Sequence, residues 1–312
     1  MTATMTSAVT ATMSPTPTAD GLVVVDKPAG LSSHDVVARV RRLAGTRKVG
    51  HAGTLDPMAT GVLVLGVNRA TRLLGHLMLT EKGYDATMRL GASTVTDDAH
   101  GEVVSTADAT RVTDDALAAA VANLTGDIEQ VPSQISAIKV DGQRAYKRVR
   151  AGEDVELTAR AVTVTQFDLG PLRAATAADG SPVPGCVDVD VHIECSSGTY
   201  VRALARDLGS ALGVGGHLTM LRRTRVGPYA LDAAHTLDAL SDDFVLLPIA
   251  DAARASFPAR DISEDEAVFV THGRPLPATG VDGAVAVFAP DGSFLALLED
   301  RGPVTKSVAV FV

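Results

Sequence analysis

Alternation of apolar and polar residues gives the clearest strand prediction in this chain. From Val187 to Cys195 every second residue is apolar, and every residue between them is polar or charged. A period of two is typical of a strand with one buried face. The segment from Tyr84 to Leu90 shows the same alternation, and residues 21–25 and 61–67 are continuously apolar. The pattern therefore predicts at least these four strands.

Helical spacing follows the strand predicted over residues 21–25. Val36, Val37, Val40 and Leu43 recur at the intervals of one helix face. Ser32 precedes them, with an acidic residue three positions later, which resembles a capping box. The spacing predicts a helix here, and further helices near residues 69–79, over residues 114–124 and from Val201 onwards.

Strands and helices do not alternate regularly along the chain. This favours an α+β fold with a mixed, largely antiparallel sheet flanked by helices over a doubly wound fold. Residues 170–185 contain three prolines and predict a surface loop, and residues 129–157 predict a long, partly irregular excursion. Near the end, Pro290-Asp291-Gly292 lies between two apolar segments and predicts a hairpin. A final strand is expected over residues 307–312.

These patterns predict three regions. Residues 1–20 are rich in Thr, Ala, Ser and Pro, and we expect a disordered tail. Residues 21–247 form the predicted main domain. Residues 248–312 form a predicted small β-rich domain.

Charge is distributed unevenly between these regions. The net charge is −9, yet residues 230–312 hold 13 acids and 5 bases, and the remaining residues hold 24 acids and 23 bases. Outside the acidic end the bases are clustered, which makes a track for nucleic-acid phosphates plausible. The three basic clusters are Arg39, Arg41, Arg42, Arg47 and Lys48 (first); Lys139, Arg144, Lys147, Arg148 and Arg150 (second); and Arg222, Arg223 and Arg225 (third).

Several classes of function lack sequence support. The chain has no apolar run long enough to span a membrane and no signal-peptide pattern. Its two cysteines suit a reducing cytoplasm, which is the location we expect. Zinc-type spacing is absent, as are the glycine-rich motifs of nucleotide hydrolases, dinucleotide enzymes and serine hydrolases. We therefore expect no metal and no cofactor.

The strongest candidate for chemistry is Asp56, in the glycine-bearing loop from Gly50 to Ala59. Pro57 lacks a backbone donor and biases Asp56 towards an extended conformation. Such a loop can present a carboxylate at one defined position, although an isolated Asp-Pro pair more often only begins a turn. Tyr200 and Arg202 follow the predicted strand 187–195 at the start of a predicted helix, where functional groups often lie.

Short motifs accompany this loop in a fixed order between residue 21 and about residue 230. They are Asp26-Lys27-Pro28-x-Gly30-x-x-Ser33, Gly50-His51-x-Gly53-Thr54-Leu55-Asp56-Pro57-x-Ala59-x-Gly61, Lys82-x-Tyr84, Gly91-x-x-Thr94-x-Thr96-x-Asp98-x-x-Gly101, Pro132-Ser133-x-x-Ser136-Ala137-x-Lys139, Ser197-Gly198-Thr199-Tyr200-Val201-Arg202, Asp207-Leu208-Gly209 and Leu221-Arg222-Arg223-Thr224.

With these motifs the chain resembles the TruB-type tRNA pseudouridine synthases. The resemblance implies an enzyme that isomerises uridine 55 of the tRNA T-loop to pseudouridine without metal or cofactor. It implies a pseudouridine synthase-like mixed sheet in a catalytic domain (residues 21–247), followed by a PUA-like domain (residues 248–312). The implied partner is tRNA, through its T-loop and adjoining arm. No protein partner and no membrane are implied, which is compatible with a monomer.

The resemblance also assigns roles to individual residues. Asp56 matches the catalytic carboxylate and Arg202 matches its partner. The Tyr84 ring is expected to contact the uracil, and its phenol to help remove the proton from C5. The positions expected to contact substrate are His51, Tyr84, Tyr200 and Leu221, with His51 filling the space that the flipped base leaves.

Two other functions remain as alternatives. One is a non-catalytic tRNA-binding or tRNA-remodelling protein, for which the basic clusters would matter and Asp56 would not. The other is a small-molecule isomerase or lyase that uses Asp56. Strongly salt-dependent tRNA binding would argue against the small-molecule alternative.

Overall fold

The structure is a computed structural model that describes residues 19–133, 139–140, 143–144 and 157–312. The strands are β1 Gly21–Lys27, β2 Val49–His51, β3 Thr60–Val67, β4 Lys82–Leu90, β5 Ala92–Thr94, β6 Val103–Thr106, β7 Gly126–Gln130, β8 Lys139–Val140, β9 Gln143–Arg144, β10 Arg160–Leu169, β11 Arg173–Thr176, β12 Pro182–Cys195, β13 Gly216–Val226, β14 Tyr229–Ala230, β15 Leu247–Pro248, β16 Ala259–Asp261, β17 Val285–Phe288, β18 Phe294–Arg301 and β19 Val304–Val310. The helices are α1 Ser33–Leu43, α2 Leu74–Leu77, α3 Asp114–Ala122, α4 Val201–Ala211, α5 Leu237–Asp242, α6 Ile249–Ser256 and α7 Glu264–Thr271, with short 3-10 turns at Asn68–Arg72 and Leu231–Ala233.

A large sheet forms the centre of the molecule, in the order β15-β1-β3-β13-β4-β12-β10-β7. The pair β3–β13 is parallel, and the other neighbours in this path are antiparallel. Strands β2, β11 and β14 pair at its margins. The prediction of an α+β fold with a mixed, largely antiparallel sheet is confirmed.

The two strands predicted from alternation, β4 and β12, are neighbours in the middle of this sheet. Tyr84 lies opposite Ile193, and Met88 lies opposite Val189. Their apolar side chains form one face of the main core, against which α1 and α4 also bury apolar residues. Antiparallel pairing brings the same-face side chains of β4 and β12 together.

The predicted surface loop over residues 170–185 is wrong. Part of it is β11, which pairs with the first half of β12, and Thr176 lies opposite Pro182. The pairing shifts register between Ala174 and Thr176. Pro lacks an amide donor, but the margin of a sheet and an irregular register both tolerate it. The prolines therefore mark an irregular hairpin rather than a loop.

The helix predicted after Ser32 is confirmed as α1. The Ser32 side chain and Asp35 form the expected capping box. The helix predicted near residues 69–79 is instead a 3-10 turn followed by the one-turn helix α2. Gly75 within it lowers helix propensity.

A second sheet, in the order β16-β17-β18-β19, lies near the chain end. The predicted hairpin at Pro290-Asp291-Gly292 joins β17 to β18. One apolar cluster contains both Leu22 and Leu77 beside the main sheet and Phe288 and Phe311 from the second region. The division into residues 21–247 and 248–312 stays a prediction.

Parts of the sequence predictions fall outside the described residues. These are residues 1–18 of the expected tail, most of the expected excursion over 129–157, and the side chains of the second basic cluster. Asp20, the last residue of the expected tail, forms an ion pair with Arg69 at 2.6 Å. Of the helices in the described ranges, none has the length and apolar character needed to cross a membrane.

Candidate active site

The Asp56 loop joins β2 to β3 and is held by the segment before it. The Ser33 hydroxyl, at the start of α1, accepts from Leu55 N at 2.9 Å and lies 3.1 Å from Leu55 O, to which it donates. The buried ammonium of Lys27, at the end of β1, donates to Leu31 O at 2.6 Å and to Pro57 O at 3.3 Å. Backbone atoms on both sides of Asp56 are therefore fixed.

Arg202, in the first turn of α4, orients the Asp56 carboxylate. Its Nε lies 3.0 Å from Asp56 Oδ2, and the exposed fractions of the two side chains are 6% for Arg202 and 38% for Asp56. The same guanidinium donates to Thr96 O at 2.7 Å and lies 3.5 Å from Asp98 Oδ2. A charged fork with several fixed partners holds the carboxylate in one orientation. Asp56 is thus anchored on one side and accessible on the other.

Asp56 opens onto a cavity of about 340 Å³. Tyr84 and Leu221 reach it from the neighbouring strands β4 and β13, and Tyr200 and Arg202 reach it from the start of α4. The structure therefore brings five of the six predicted site residues together around one cavity.

His51 is the exception, because it does not line this cavity. It lies at the end of β2, and its ring is edge-on to that of His34 with centroids 5.7 Å apart.

Burial changes the chemistry expected of Tyr84. Loss of solvent raises the pKa of its phenol, and the Arg223 charge beside it opposes that shift only in part. The phenol keeps its proton near neutral pH, which disfavours the phenolate that a general base would use. The role of its phenol in removing the C5 proton stays a prediction.

The backbone of Tyr200 is clamped by a side chain that the sequence analysis did not single out. Gln130, at the end of β7, donates to Tyr200 O at 3.1 Å and accepts from Tyr200 N at 2.8 Å. The side-chain amide thus supplies a partner for the N–H of Tyr200 at the N-cap of α4. No local signal distinguishes this glutamine from an exposed one.

Two buried cations also line the cavity without having been predicted there. They are Lys82, two residues before Tyr84 on β4, and Arg223, opposite Tyr84 on β13. Strand periodicity could have predicted both positions, because residues two apart lie on the same strand face. Lys82 shares a face with Tyr84, and Arg223 shares one with Leu221.

The side chains of the third basic cluster already have partners within the protein, and one of them is buried. Arg223 is 1% exposed and donates to Val62 O at 2.7 Å. Arg222 forms a two-pronged ion pair with Asp26, at 2.8 and 3.0 Å, and Arg225 binds Glu194. These positions lie in central strand β13, where burial requires charged side chains to be paired or hydrogen-bonded. The first cluster, in contrast, is exposed on and after α1.

The remaining candidates for metal or sulfur chemistry are few. Both cysteines are buried and free. Within the described residues, His, Cys, Asp and Glu side chains form no group of three or more that could hold a metal ion.

Comparisons with known proteins cover nearly the whole chain. Residues 41–201 match the family model described as TruB family pseudouridylate synthase (N terminal domain). Residues 202–252 match the tRNA pseudouridylate synthase B C-terminal domain, and residues 257–312 match tRNA pseudouridine synthase II, C terminal.

Relatives and solved structures agree with these models. The tRNA pseudouridine synthase B of Arthrobacter sp. (strain FB24) is 60% identical over 300 residues, which cover 93% of this chain and 96% of the relative. That of Thermobifida fusca (strain YX) is 59% identical over 293 residues, covering 94% and 99%. A chain in the crystal structure of a Cbf5–Nop10–Gar1 complex superposes with a TM-score of 0.68 at 27% identity, over 94% of this chain and 85% of that one.

Proposed function

Because this chain belongs to the TruB family and is an isomerase that forms pseudouridine in tRNA, we propose that its target is uridine 55 of the T-loop, with Asp56 as the catalytic carboxylate. The observation that carries the proposal is the Asp56–Arg202 pair, buried on the arginine side and open to a cavity on the carboxylate side. Tyr84, Tyr200 and Leu221 surround the same opening.

The reaction explains why a cavity of this kind is needed. The bond between N1 and C1′ breaks, the uracil turns, a bond forms between C5 and C1′, and the C5 proton leaves while N1 gains one. The target nucleotide must first leave the loop, because an enzyme cannot reach the atoms of a stacked base. The volume of about 340 Å³ is near the lower end of small-molecule sites, roughly 300–1,000 Å³. It suits a single flipped nucleotide.

We assign the roles within the cavity as follows. Asp56 acts on the sugar, where positive charge develops as the N1–C1′ bond breaks. Arg202 keeps the carboxylate aimed at that position, since its own burial leaves it little freedom. Tyr84 supplies a flat surface for the uracil. Tyr200 and Leu221 complete the pocket. His51 lies outside the cavity wall and fills the space in the T-loop that the flipped base leaves.

Charge distribution supports tRNA binding through the first basic cluster. All five of its side chains are exposed. Phosphate contacts of this kind weaken as the salt concentration rises, because counterions released from the RNA then gain less entropy. Residues 230–312 are acidic, and we infer that they contribute little phosphate affinity.

The test is tritium release from tRNA carrying tritium at C5 of uridine, measured with wild type and Asp56→Asn. Wild type is expected to release tritium, and a transcript with cytidine at position 55 is expected to release none. Asp56→Asn is expected to bind tRNA and to melt like wild type but to release no tritium. Normal release by Asp56→Asn would contradict the catalytic role. Release that persists from the cytidine-55 transcript would contradict the target position.

A further inference from the structure

Lys82 is a buried cation in the cavity wall. It begins β4, is 6% exposed, and lies on the same strand face as Tyr84. Its ammonium donates to Met78 O at 2.9 Å and to Thr80 O at 2.7 Å. Across residues 19–133 and 157–312, no carboxylate lies within ion-pair distance of it. The carbonyls hold two of its three protons, and its charge has no counterion there.

Arg223 adds a second charge to the same part of the wall. It donates to Gly53 O at 3.2 Å and to Thr54 O at 3.4 Å, both in the Asp56 loop. A Cβ placed on Gly53 would lie 3.6 Å from Arg223 Nη1 and 3.7 Å from Lys82 Cε. The two cationic side chains therefore meet at one point of the loop.

Such an arrangement is costly unless an anion enters the cavity. Burial lowers the pKa of Lys82 to about 8, and repulsion from Arg223 acts in the same direction. The hydrogen bonds to Met78 O and Thr80 O do not explain the charge, because a neutral donor could make them. A buried pair of cations without a carboxylate partner is expected where negative charge is bound or formed.

The proposed reaction forms such a charge. When the N1–C1′ bond breaks, both electrons stay on the uracil, and the negative charge spreads over N1 and the two carbonyl oxygens. We propose that Lys82 is a catalytic residue whose ammonium contacts the detached uracil and stabilises this charge until C5 bonds to C1′. Arg223 is a positioning residue, since its donors hold the Asp56 loop. The inference rests on the proposed function, and it adds a base-side catalytic group to the sugar-side Asp56.

The experiment compares Lys82→Met and Lys82→Arg with wild type. Single-turnover pseudouridine formation at saturating tRNA is measured from about pH 6 to about pH 10, together with tRNA affinity and melting temperature. Lys306→Met, at an exposed position of β19, is the matched control for loss of a lysine charge. It is expected to match wild type.

Lys82→Met is expected to slow the single-turnover step by roughly 10²-fold while tRNA affinity changes less than about twofold. Wild type should lose rate as pH rises through about 8, because Lys82 then loses its proton. Lys82→Arg should keep part of the activity and lose this alkaline decline, because guanidinium stays charged. It also keeps the inference testable if Lys82→Met does not fold.

Two neighbouring groups bear on this pH profile. The pKa of the buried Cys195 thiol is raised to about 11, so it stays neutral across most of the range. Lys27 also has a pKa lowered to about 8 by burial. An alkaline decline near pH 8 that persists in Lys82→Arg would not come from Lys82 and would overturn the inference.

A Lys82→Met rate equal to that of wild type would also overturn it. Failure of wild type to form pseudouridine would instead refute the proposed function, so the two failures are distinguishable.

Discussion

At the scale of single residues, the site depends on which charges are buried and what holds them. Arg202 is more buried than the carboxylate it holds, and it binds Asp98 and Thr96 O behind that carboxylate. Its orientation is therefore set by the protein and not by the substrate. An arginine fixed in this way can aim Asp56 without moving during the reaction.

Gly53 gives a test of how precisely the loop must be placed. Its φ is +96°, a conformation that costs a residue with a Cβ roughly 1–2 kcal/mol. We expect Gly53→Ala to fold, but with a shifted Asp56 loop and a single-turnover rate reduced by roughly 10²-fold. The measurement is pseudouridine formation at saturating tRNA, with melting temperature beside it.

Gly75→Ala is the control for this variant. Gly75 lies in α2, where an added Cβ meets no atom within 4 Å. Alanine there should be neutral or stabilising by up to about 1 kcal/mol. A Gly53→Ala enzyme as fast as Gly75→Ala would show that the loop tolerates movement.

At the scale of elements, two adjacent serines at the start of α1 have different structural roles. Ser32 caps the helix, whereas the Ser33 hydroxyl hydrogen-bonds to both the N–H and the C=O of Leu55 in the Asp56 loop. The first contact is local, and the second joins α1 to the loop that carries Asp56. Helix stability and the position of the Asp56 loop can therefore be separated by substitution.

We expect Ser33→Ala to destabilise the protein by about 1–3 kcal/mol, because it leaves buried Leu55 backbone groups without their partner. It should also lower the single-turnover rate. Ser32→Ala should cost about 1 kcal/mol through loss of the cap and leave the rate near that of wild type. Denaturant unfolding and pseudouridine formation would check both variants. Equal rates in the two would contradict the proposed anchoring of the loop.

Strand β13 shows how an element decides the fate of charged residues. Leu221 and Arg223 face the cavity, while Arg222 faces away and pairs with Asp26. A run of arginines in sequence is thereby divided between two faces of one sheet. Of the third basic cluster only Arg223 is buried, whereas Arg222 and Arg225 are 33% and 32% exposed and paired with carboxylates.

At the scale of the whole molecule, the main sheet and the second sheet share a core. Phe311 packs on Phe294 with ring centroids 4.5 Å apart, in one cluster with Leu22 and Leu77. Arg69 and Arg72 donate to the carbonyl oxygens of Phe311 and Val310, respectively. The C-terminal region is therefore joined to the rest by both apolar packing and hydrogen bonds.

We expect wild type to unfold in one cooperative transition and Phe311→Ala to lower the free energy of unfolding by about 3–5 kcal/mol. The measurement is scanning calorimetry together with denaturant unfolding. Val312→Ala is the adjacent control, since Val312 is 56% exposed and its truncation should change stability by no more than about 0.5 kcal/mol. Two transitions, with only one shifted by Phe311→Ala, would show that the regions unfold independently.

The sequence by itself determined the features that depend on near neighbours. Periodicity predicted β4 and β12, and the capping signal predicted α1. The Asp-Pro loop with its accompanying motifs identified the family and made Asp56 the candidate carboxylate. Proline content misled the prediction over residues 170–185, because pairing at a sheet margin outweighed the local turn signal.

Only the tertiary structure decided which charged and polar residues line the cavity or hold the residues that line it. Arg223 is the counterpart of Tyr84 because β13 pairs with β4 in one register, and Gln130 reaches Tyr200 because β7 ends beside α4. Lys82 is a buried cation rather than a surface lysine because β4 lies between β13 and β12 in the main sheet. Burial and charge compensation depend on contacts between segments far apart in sequence, and a local pattern carries no information about them.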